Sequence, residues 1–406
     1  MRTPSSVLRR LLATALAAAL PLAGVLVATP AEAKRVDQSW TVPASAWITL
    51  RGHGFGHGHG MSQYGAHGAA RQGLSAREIL AFYYPGTTVG SVGGTIAVLV
   101  SRDTTDDVVV HARPGLKVRV LGTGEVLTLP DNGATRWRLQ VDRTGATGLA
   151  YLRDRWRKLR ALPGPAEFHA GGAPVTLVTP SGDTAYRGRL RSAAPSGGGR
   201  ARDTVNVVAL ETYLRGVVPL EVPASWHPAA VQAQAVAART YAAYERAHPR
   251  ASHYQVCDTT SCQVYGGASA EHPASDAAVR ATRGTALLAD GRPAFTQFSS
   301  SSGGWTSAGS VPYLTSQEDP YDGWSGNPVH DWSLRVTDAR LEAAYPRIGD
   351  LRSLRITERE GGGEWGGRVW RLTLTGSRGS VTVNGDDLRR ALGLRSSWFT
   401  FAVSRR

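Results

Sequence analysis

The stretch Val217-Val218-Pro219-Leu220-Glu221-Val222-Pro223-Ala224-Ser225-Trp226, running into the alanine-rich segment 227–244, organises the reading of the chain. Glu221 is a lone carboxylate among apolar residues, bracketed by Pro219 and Pro223 just ahead of a helix. Burial disfavours the charged form of a carboxyl group, so such a setting can keep an acid protonated near neutral pH. Glu221 is therefore the first candidate for chemistry.

Upstream, Leu210, Tyr213, Leu214, Val217 and Val218 recur at helical spacing, which predicts a short amphipathic helix. Glu211 and Arg215 stand four residues apart on its polar side and are expected to form a surface ion pair. Downstream, a helix is expected from Pro228 to Arg246, with Ser225 as its cap and His248-Pro249 as its stop. Before it lies the strand 204–208. Beyond it, 351–403 alternates, with strands at Val369 to Leu374 and Ser380 to Val383 and a short helix from Asp386 to Leu392.

Toward the start, residues 1–33 read as an export signal: a basic beginning at Arg2, Arg9 and Arg10, an apolar stretch from Leu11 to Val27, and the cleavage site Ala31-Glu32-Ala33. The expectation is a secreted or wall-associated protein with no transmembrane anchor in its mature form, since no later apolar run approaches the roughly 20 residues a spanning helix needs. Removing Arg2, Arg9, Arg10 and Glu32 from a chain of formal charge +14 leaves +12. That favours acidic partners, and for an exported protein these are cell-wall polymers and not nucleic acid. A strand is expected from Trp40 to Leu50, a Gly/His-rich loop from Arg51 to Gly60, and one helix from Met61 to Tyr83 ended by Pro85-Gly86. The region 93–190 changes to short β-type runs, and Ser192 to Arg202, with Gly197-Gly198-Gly199, reads as a linker or loop tip.

Three groups of motifs closely resemble the stage II sporulation protein D (SpoIID) / amidase enhancer (LytB) family. The first is Val207 to Val218, Glu221 to Trp226 and Gln232 to Tyr241. The second is Phe298-Ser299-Ser300-Ser301-Ser302-Gly303-Gly304-Trp305-Thr306 with Pro312-Tyr313-Leu314. The third is Gly56-His57-Gly58-His59-Gly60-Met61-Ser62-Gln63-Tyr64-Gly65-Ala66. In that family the third motif typically closes the chain, whereas here it opens it. The order reads as a circular permutation and predicts that the loop from Gly52 packs near the C-terminal segment. The implied organisation is an α+β fold: a signal peptide (1–33), a permuted core segment (34–92), an inserted β-rich region (93–190), and a catalytic core with a long Ala-rich helix, mixed and antiparallel strands and a C-terminal β segment (200–406).

The resemblance implies a peptidoglycan lytic transglycosylase that cleaves the MurNAc-GlcNAc backbone with Glu221 as essential acid. A hydrolase needs a second carboxylate. In transglycosylation the muramic acid's own 6-hydroxyl attacks, so one glutamate suffices. The alternative is that Glu221 pairs with an arginine such as Arg239 and holds the helix start. Arg239 and Tyr241 are expected to orient the acid or hold the substrate, as are Gln63 and the loop Ser301, Ser302, Gly303 and Gly304, with Trp305, Tyr313 or Trp324 facing sugar rings. His57 and His59 are expected to line the cleft. Their alternating Gly-His pattern lacks zincin spacing, although His-rich tracts do sometimes bind metals. Cys257 and Cys262, with four residues between them in an exported chain, are expected to form a disulfide, with no cofactor. The alternative implied by some relatives is zinc on His253, Cys257 and Cys262. The expected partners are glycan strands, possibly free of peptide, and the competing reading is a non-catalytic enhancer of an N-acetylmuramoyl-L-alanine amidase.

Overall fold

The computed structural model describes residues 33–142, 145–195 and 199–406. The expected signal, but for Ala33, and Ser196, Gly197 and Gly198 of the expected linker lie outside the described residues, and the linker's first two residues belong to the strand Arg189–Ala193. The helices are α1 (Gln63–Arg71), α2 (Ala76–Tyr83), α3 (Leu210–Arg215), α4 (Val218–Glu221), α5 (Pro228–Ala247), α6 (Pro273–Ala281), α7 (Asp338–Ala344) and α8 (Gly385–Leu392). Strands grouped in several sheets make up most of the remaining regular structure, so the chain is α+β.

Two sheets dominate the first half. One has six strands, in the order Trp156–Leu162, Thr147–Leu152, Arg136–Val141, Asp107–His111, Val175–Val178 and Thr184–Tyr186. The other has seven, in the order Val256–Cys257, Thr95–Leu99, Asp203–Ala209, Arg189–Ala193, Ala166–His169, Lys117–Val120 and Val126–Thr128. Alternation along these strands turns one set of side chains inward. Val98, Val110, Val118, Phe168 and Leu190 from the β-rich region join Leu214, Val218, Val231 and Ala235 from the helical region in one apolar cluster. Strand Asp203–Ala209 pairs on one side with Thr95–Leu99 and on the other with Arg189–Ala193. The β-rich region and the segment carrying Glu221 thus share a sheet and a core.

A second apolar cluster holds the C-terminal part, where a four-stranded sheet (Lys34–Thr41, Leu351–Arg359, Val369–Gly376, Ser380–Val383) packs with a three-stranded one (Asp331–Thr337, Ala46–His53, Phe399–Arg405). Strand Ala46–His53 pairs antiparallel with Phe399–Arg405, and the loop after it continues the contact: Gly56 N–H donates to the Arg395 carbonyl at 3.0 Å and Ser396 Oγ donates to the His53 carbonyl at 2.6 Å. The opening Gly/His segment therefore lies against the end of the chain. Gly54, Gly56, Gly58 and Gly60 all have positive φ, from +64° to +106°, which explains glycine at every second position.

Three local expectations are corrected. The helix expected over 61–83 is two, because Gly73 turns with φ +95° and Ser75 starts α2 with a capping box, its Oγ accepting from Glu78 N–H while Glu78 Oε2 accepts from Ser75 N–H. Met61–Ser62 forms a short strand parallel to Phe298–Ser299. The strand expected over 40–50 is split between Lys34–Thr41 and Ala46–His53, with Ser45 at φ 61° in the turn. Finally, α5 is capped by the His227 side chain and not by Ser225, because Pro228 takes the first helical position and leaves residue 227 as the cap.

Candidate functional site

Glu221 is the last residue of α4, a one-turn helix that Pro219 starts and Pro223 follows. Its carboxyl is half-buried. The Val264 backbone N–H donates to Oε1 at 3.0 Å, and the Gln63 side chain donates a second hydrogen bond. Burial pushes the group up to about 7, and these two donors, which favour the carboxylate, only partly counter it. Among the described residues Glu221 forms no ion pair. Arg239 is committed elsewhere, so the pairing of Glu221 with Arg239 does not occur.

Each donor is held by its own framework. Val264 follows the disulfide Cys257–Cys262, whose Cα atoms are 5.5 Å apart. Beside it, the buried Gln263 side chain accepts from Tyr213 Oη at 3.1 Å and donates to the Ala238 carbonyl at 3.2 Å. The two sulfurs are bonded to each other and His253 Nε2 lies on Asp203 at 2.6 Å, so the zinc set His253, Cys257 and Cys262 is not assembled. Among the described residues no group of three or more His, Cys, Asp or Glu side chains could hold a metal ion.

Gln63 is the first residue of α1, and its Nε2 also meets Gln234 Oε1 of α5 at 3.4 Å. Ser62, the cap of α1, donates to Asp322 at 2.5 Å and accepts from Ser302 N–H at 3.3 Å. Asp322 is wholly buried and accepts in addition from Ser301 Oγ at 2.7 Å and Gly303 N–H at 3.0 Å, with His330 Nδ1 at 2.8 Å. Burial would raise its pKa, but the hydrogen bonds from His330, Ser62 and Ser301 outweigh that and hold it below the usual carboxylate range. Its neighbour Asp319 receives Tyr83 Oη at 2.9 Å and Ser302 Oγ at 2.8 Å. Burial first, and the charge of Asp322 second, push Asp319 up to about 7. The two buried carboxylates have opposed shifts, Asp322 held toward its charged form and Asp319 drawn toward its neutral one. This network fixes the start of α1, and through it Gln63.

These contacts correct several expectations. Ser301 and Ser302 are 0 % and 1 % exposed with their hydroxyls spent on Asp322 and Asp319; Gly303 and Gly304 give their N–H groups to the same network. The loop braces the site and offers no free hydroxyl to a glycan. Arg239 is fully buried, forks onto Glu211 at 2.8 and 2.9 Å, and donates to the Val279 and Thr285 carbonyls. It is a strut between helices and has no face for a ligand. Glu211 accordingly does not pair with Arg215, which bonds Glu271 and Asp276. Tyr241 is buried against Phe295 and Phe298. His57 and His59 stack on each other 4.9 Å apart; burial lowers both, His57 to about 3, so they are neutral brackets in the loop.

The sequence reading passed over a cluster of rings beside the acid. Trp226, five residues after Glu221, meets Tyr64 edge-on at 4.9 Å and stacks on His67 at 4.7 Å; His67 in turn meets Trp324 at 5.2 Å, and the Arg71 guanidinium lies 4.4 Å over Trp324. All four rings are half-buried and come from three separate parts of the chain, Tyr64 and His67 from α1 and Trp226 and Trp324 from two distant segments. Of these four rings, Trp324 alone is among the residues expected from the sequence to face sugar rings. The signal was present in Tyr64 following Gln63 and in Trp226 following the Glu221 turn.

Residues 199–288 match the family model described as SpoIID, stage II sporulation protein. Over 151 residues the chain is 38 % identical to the amidase enhancer of Bacillus subtilis (strain 168), a match that covers 36 % of this chain and 19 % of that protein. It is 31 % identical over 220 residues to stage II sporulation protein D of Bacillus amyloliquefaciens, covering 48 % of this chain and 61 % of that protein. The stage II sporulation protein D of Bacillus subtilis (strain 168) is likewise 31 % identical, over 226 residues that cover 49 % and 62 %. The chain spans less than two thirds of the length of these relatives.

Proposed function

Taking the chain as a member of the SpoIID/LytB family through residues 199–288, we propose that it is an exported peptidoglycan lytic transglycosylase with Glu221 as its general acid and base. The observation that carries the proposal is a half-buried carboxyl, raised to about 7, with two fixed donors and, among the described residues, no carboxylate acting on it. A pKa near the working pH is what a proton-transfer catalyst needs.

In the proposed reaction Glu221 gives its proton to the glycosidic oxygen as the bond to the muramic acid C1 breaks. The muramic acid 6-hydroxyl oxygen then bonds to C1, and its proton passes to the Glu221 carboxylate. A 1,6-anhydro end forms, the acid is regenerated, and no water is consumed. Val264 N–H and Gln63 stabilise the carboxylate between the two transfers, which keeps it acidic enough to donate. The rings of Trp226, Tyr64, His67 and Trp324 offer apolar faces on which sugar rings of the strand stack, and Arg71 supplies a fork for a lactyl carboxylate.

The name of one relative, amidase enhancer, favours a second reading in which the chain binds wall glycan without cutting it and stimulates an amidase. The mature protein incubated with purified glycan strands, with and without stem peptides, separates the two. Anhydro ends detected by mass spectrometry support the enzyme; none, together with stimulation of an amidase, refutes it.

A further inference from the structure

The β-rich region holds an unusual share of the charge: between residues 93 and 193 there are fifteen Lys and Arg against nine Asp and Glu. Part of it is gathered on one face of the seven-stranded sheet. Register places Arg191, Glu167, Arg119 and Val126 in one cross-strand row, and Arg189, His169, Lys117 and Thr128 in the next. The opposite face, with Val118, Phe168 and Leu190, is core. Four cations and one carboxylate therefore share a surface, although like charges set side by side across strands repel.

Glu167 is fully buried beneath these side chains. Arg191 holds its Oε2 at 2.9 and 3.0 Å, Arg189 Nε lies 2.6 Å from Oε1 without the alignment of a hydrogen bond, and Arg119 is 3.8 Å away. Arg191 satisfies Oε2 alone, while Oε1 has the charges of Arg189 and Arg119 near it but no aligned hydrogen bond. Between them opens a cavity of about 480 Å³ lined by Arg119, Gly124, Val126, His169, Gly172 and Arg189. His169 Nε2 is buried there without a partner among the described residues. Burial lowers the His169 imidazole; the charge of Glu167 works against this, and Lys117, Arg189 and Arg119 add to it.

We propose that this cavity is a binding site for a phosphodiester group of a linear polyanion, forked by Arg119 and Arg189 from opposite sides. Arg119 and Arg189 stand on strands flanking Ala166–His169, about 10 Å apart at the backbone. A phosphodiester has two unesterified oxygens that donors on two sides can share, whereas a carboxylate presents one edge. The track continues past the cavity. Arg160 bonds Glu125, beside Gly124 and Val126, and lies on the edge strand Trp156–Leu162 with the exposed Lys158. The site does not depend on Glu221 or on the reaction proposed for it, and it gives the β-rich region a role in holding the protein on an anionic wall polymer.

The test is calorimetric titration of the mature chain with glycerol phosphate oligomers, inorganic phosphate and polyglutamate of matched charge, over a range of salt. The oligomer is expected to bind, to weaken as salt rises, and to be displaced by inorganic phosphate only at higher concentration. Arg119→Gln and Val126→Glu, both at exposed positions, are each expected to lower oligomer affinity about tenfold and to flatten the salt dependence, while the melting temperature stays within a degree or two of wild type. Wild-type affinity and salt dependence in both variants would overturn the site. Polyglutamate binding as tightly would overturn the phosphodiester assignment, and inorganic phosphate binding as tightly would overturn the polymer.

Discussion

Replacing Glu221 by Gln should abolish cleavage and make the protein more stable, with a pH dependence that identifies the cause. A carboxyl moved by burial from the ordinary 4.5 to about 7 prefers its neutral form by about 3 kcal/mol. The sign follows from proton binding. Between these two values the folded protein holds a proton that the unfolded chain has lost, so the contribution of Glu221 to stability is full below pH 4.5 and is lost as pH rises through about 7. Gln is isosteric, cannot ionise, and still accepts from Val264 N–H. Denaturant unfolding at pH 4 should thus find Glu221→Gln and wild type alike, whereas at pH 8 the variant gains up to about 3 kcal/mol, less whatever solvent screening spares the half-buried group. The same titration sets the rate. The free enzyme must carry the proton to donate it, so kcat/KM should fall above pH 7 with a slope of one. A stability difference that is flat between pH 4 and 8 would refute the claim that burial keeps this acid protonated.

Further expectations rest on the groups around it. Gln63→Leu removes a donor to the carboxylate, so the alkaline limb of the pH profile should move up and kcat/KM fall about tenfold; an unchanged profile would separate Gln63 from Glu221. Opening the disulfide with Cys257→Ser and Cys262→Ser together loosens Val264 and should shift the limb in the same direction, read by kinetics at several pH values. Arg239→Met should cost about 3–5 kcal/mol in thermal or denaturant unfolding by stranding Glu211, with KM little changed in whatever fraction folds. Asp319→Asn replaces a group that burial and Asp322 push up to about 7 and should cost less than Asp322→Asn, which removes the charge that Ser62, Ser301 and His330 are arranged around; equal losses would contradict the division between the two.

Local patterns in the sequence carried the long helix over 228–246, the apolar setting of Glu221 and the β-type runs of the middle region. Gln63 was reached through motif order, since a segment out of its usual place has to return to the core. Arg239 was misjudged because spacing along one helix pairs Glu211 with Arg215, and nothing local announces that α3 and α6 pack around Arg239 of α5, with α3 offering it the same carboxylate. The Ser/Gly loop misled for a related reason: hydroxyls and amides free to bind a sugar look the same in sequence as those bonded to Asp319 and Asp322 some twenty residues on. The ring cluster was illegible as a cluster because Tyr64, Trp226 and Trp324 meet only in three dimensions.

The central claim is that one carboxylate directs an intramolecular attack and that water takes no part. Digestion of peptide-free glycan strands in water enriched in oxygen-18 tests it most directly. The account predicts new ends of anhydro mass with no heavy oxygen, formed by wild type and absent with Glu221→Gln. Reducing ends carrying oxygen-18 would show water as the nucleophile and contradict it.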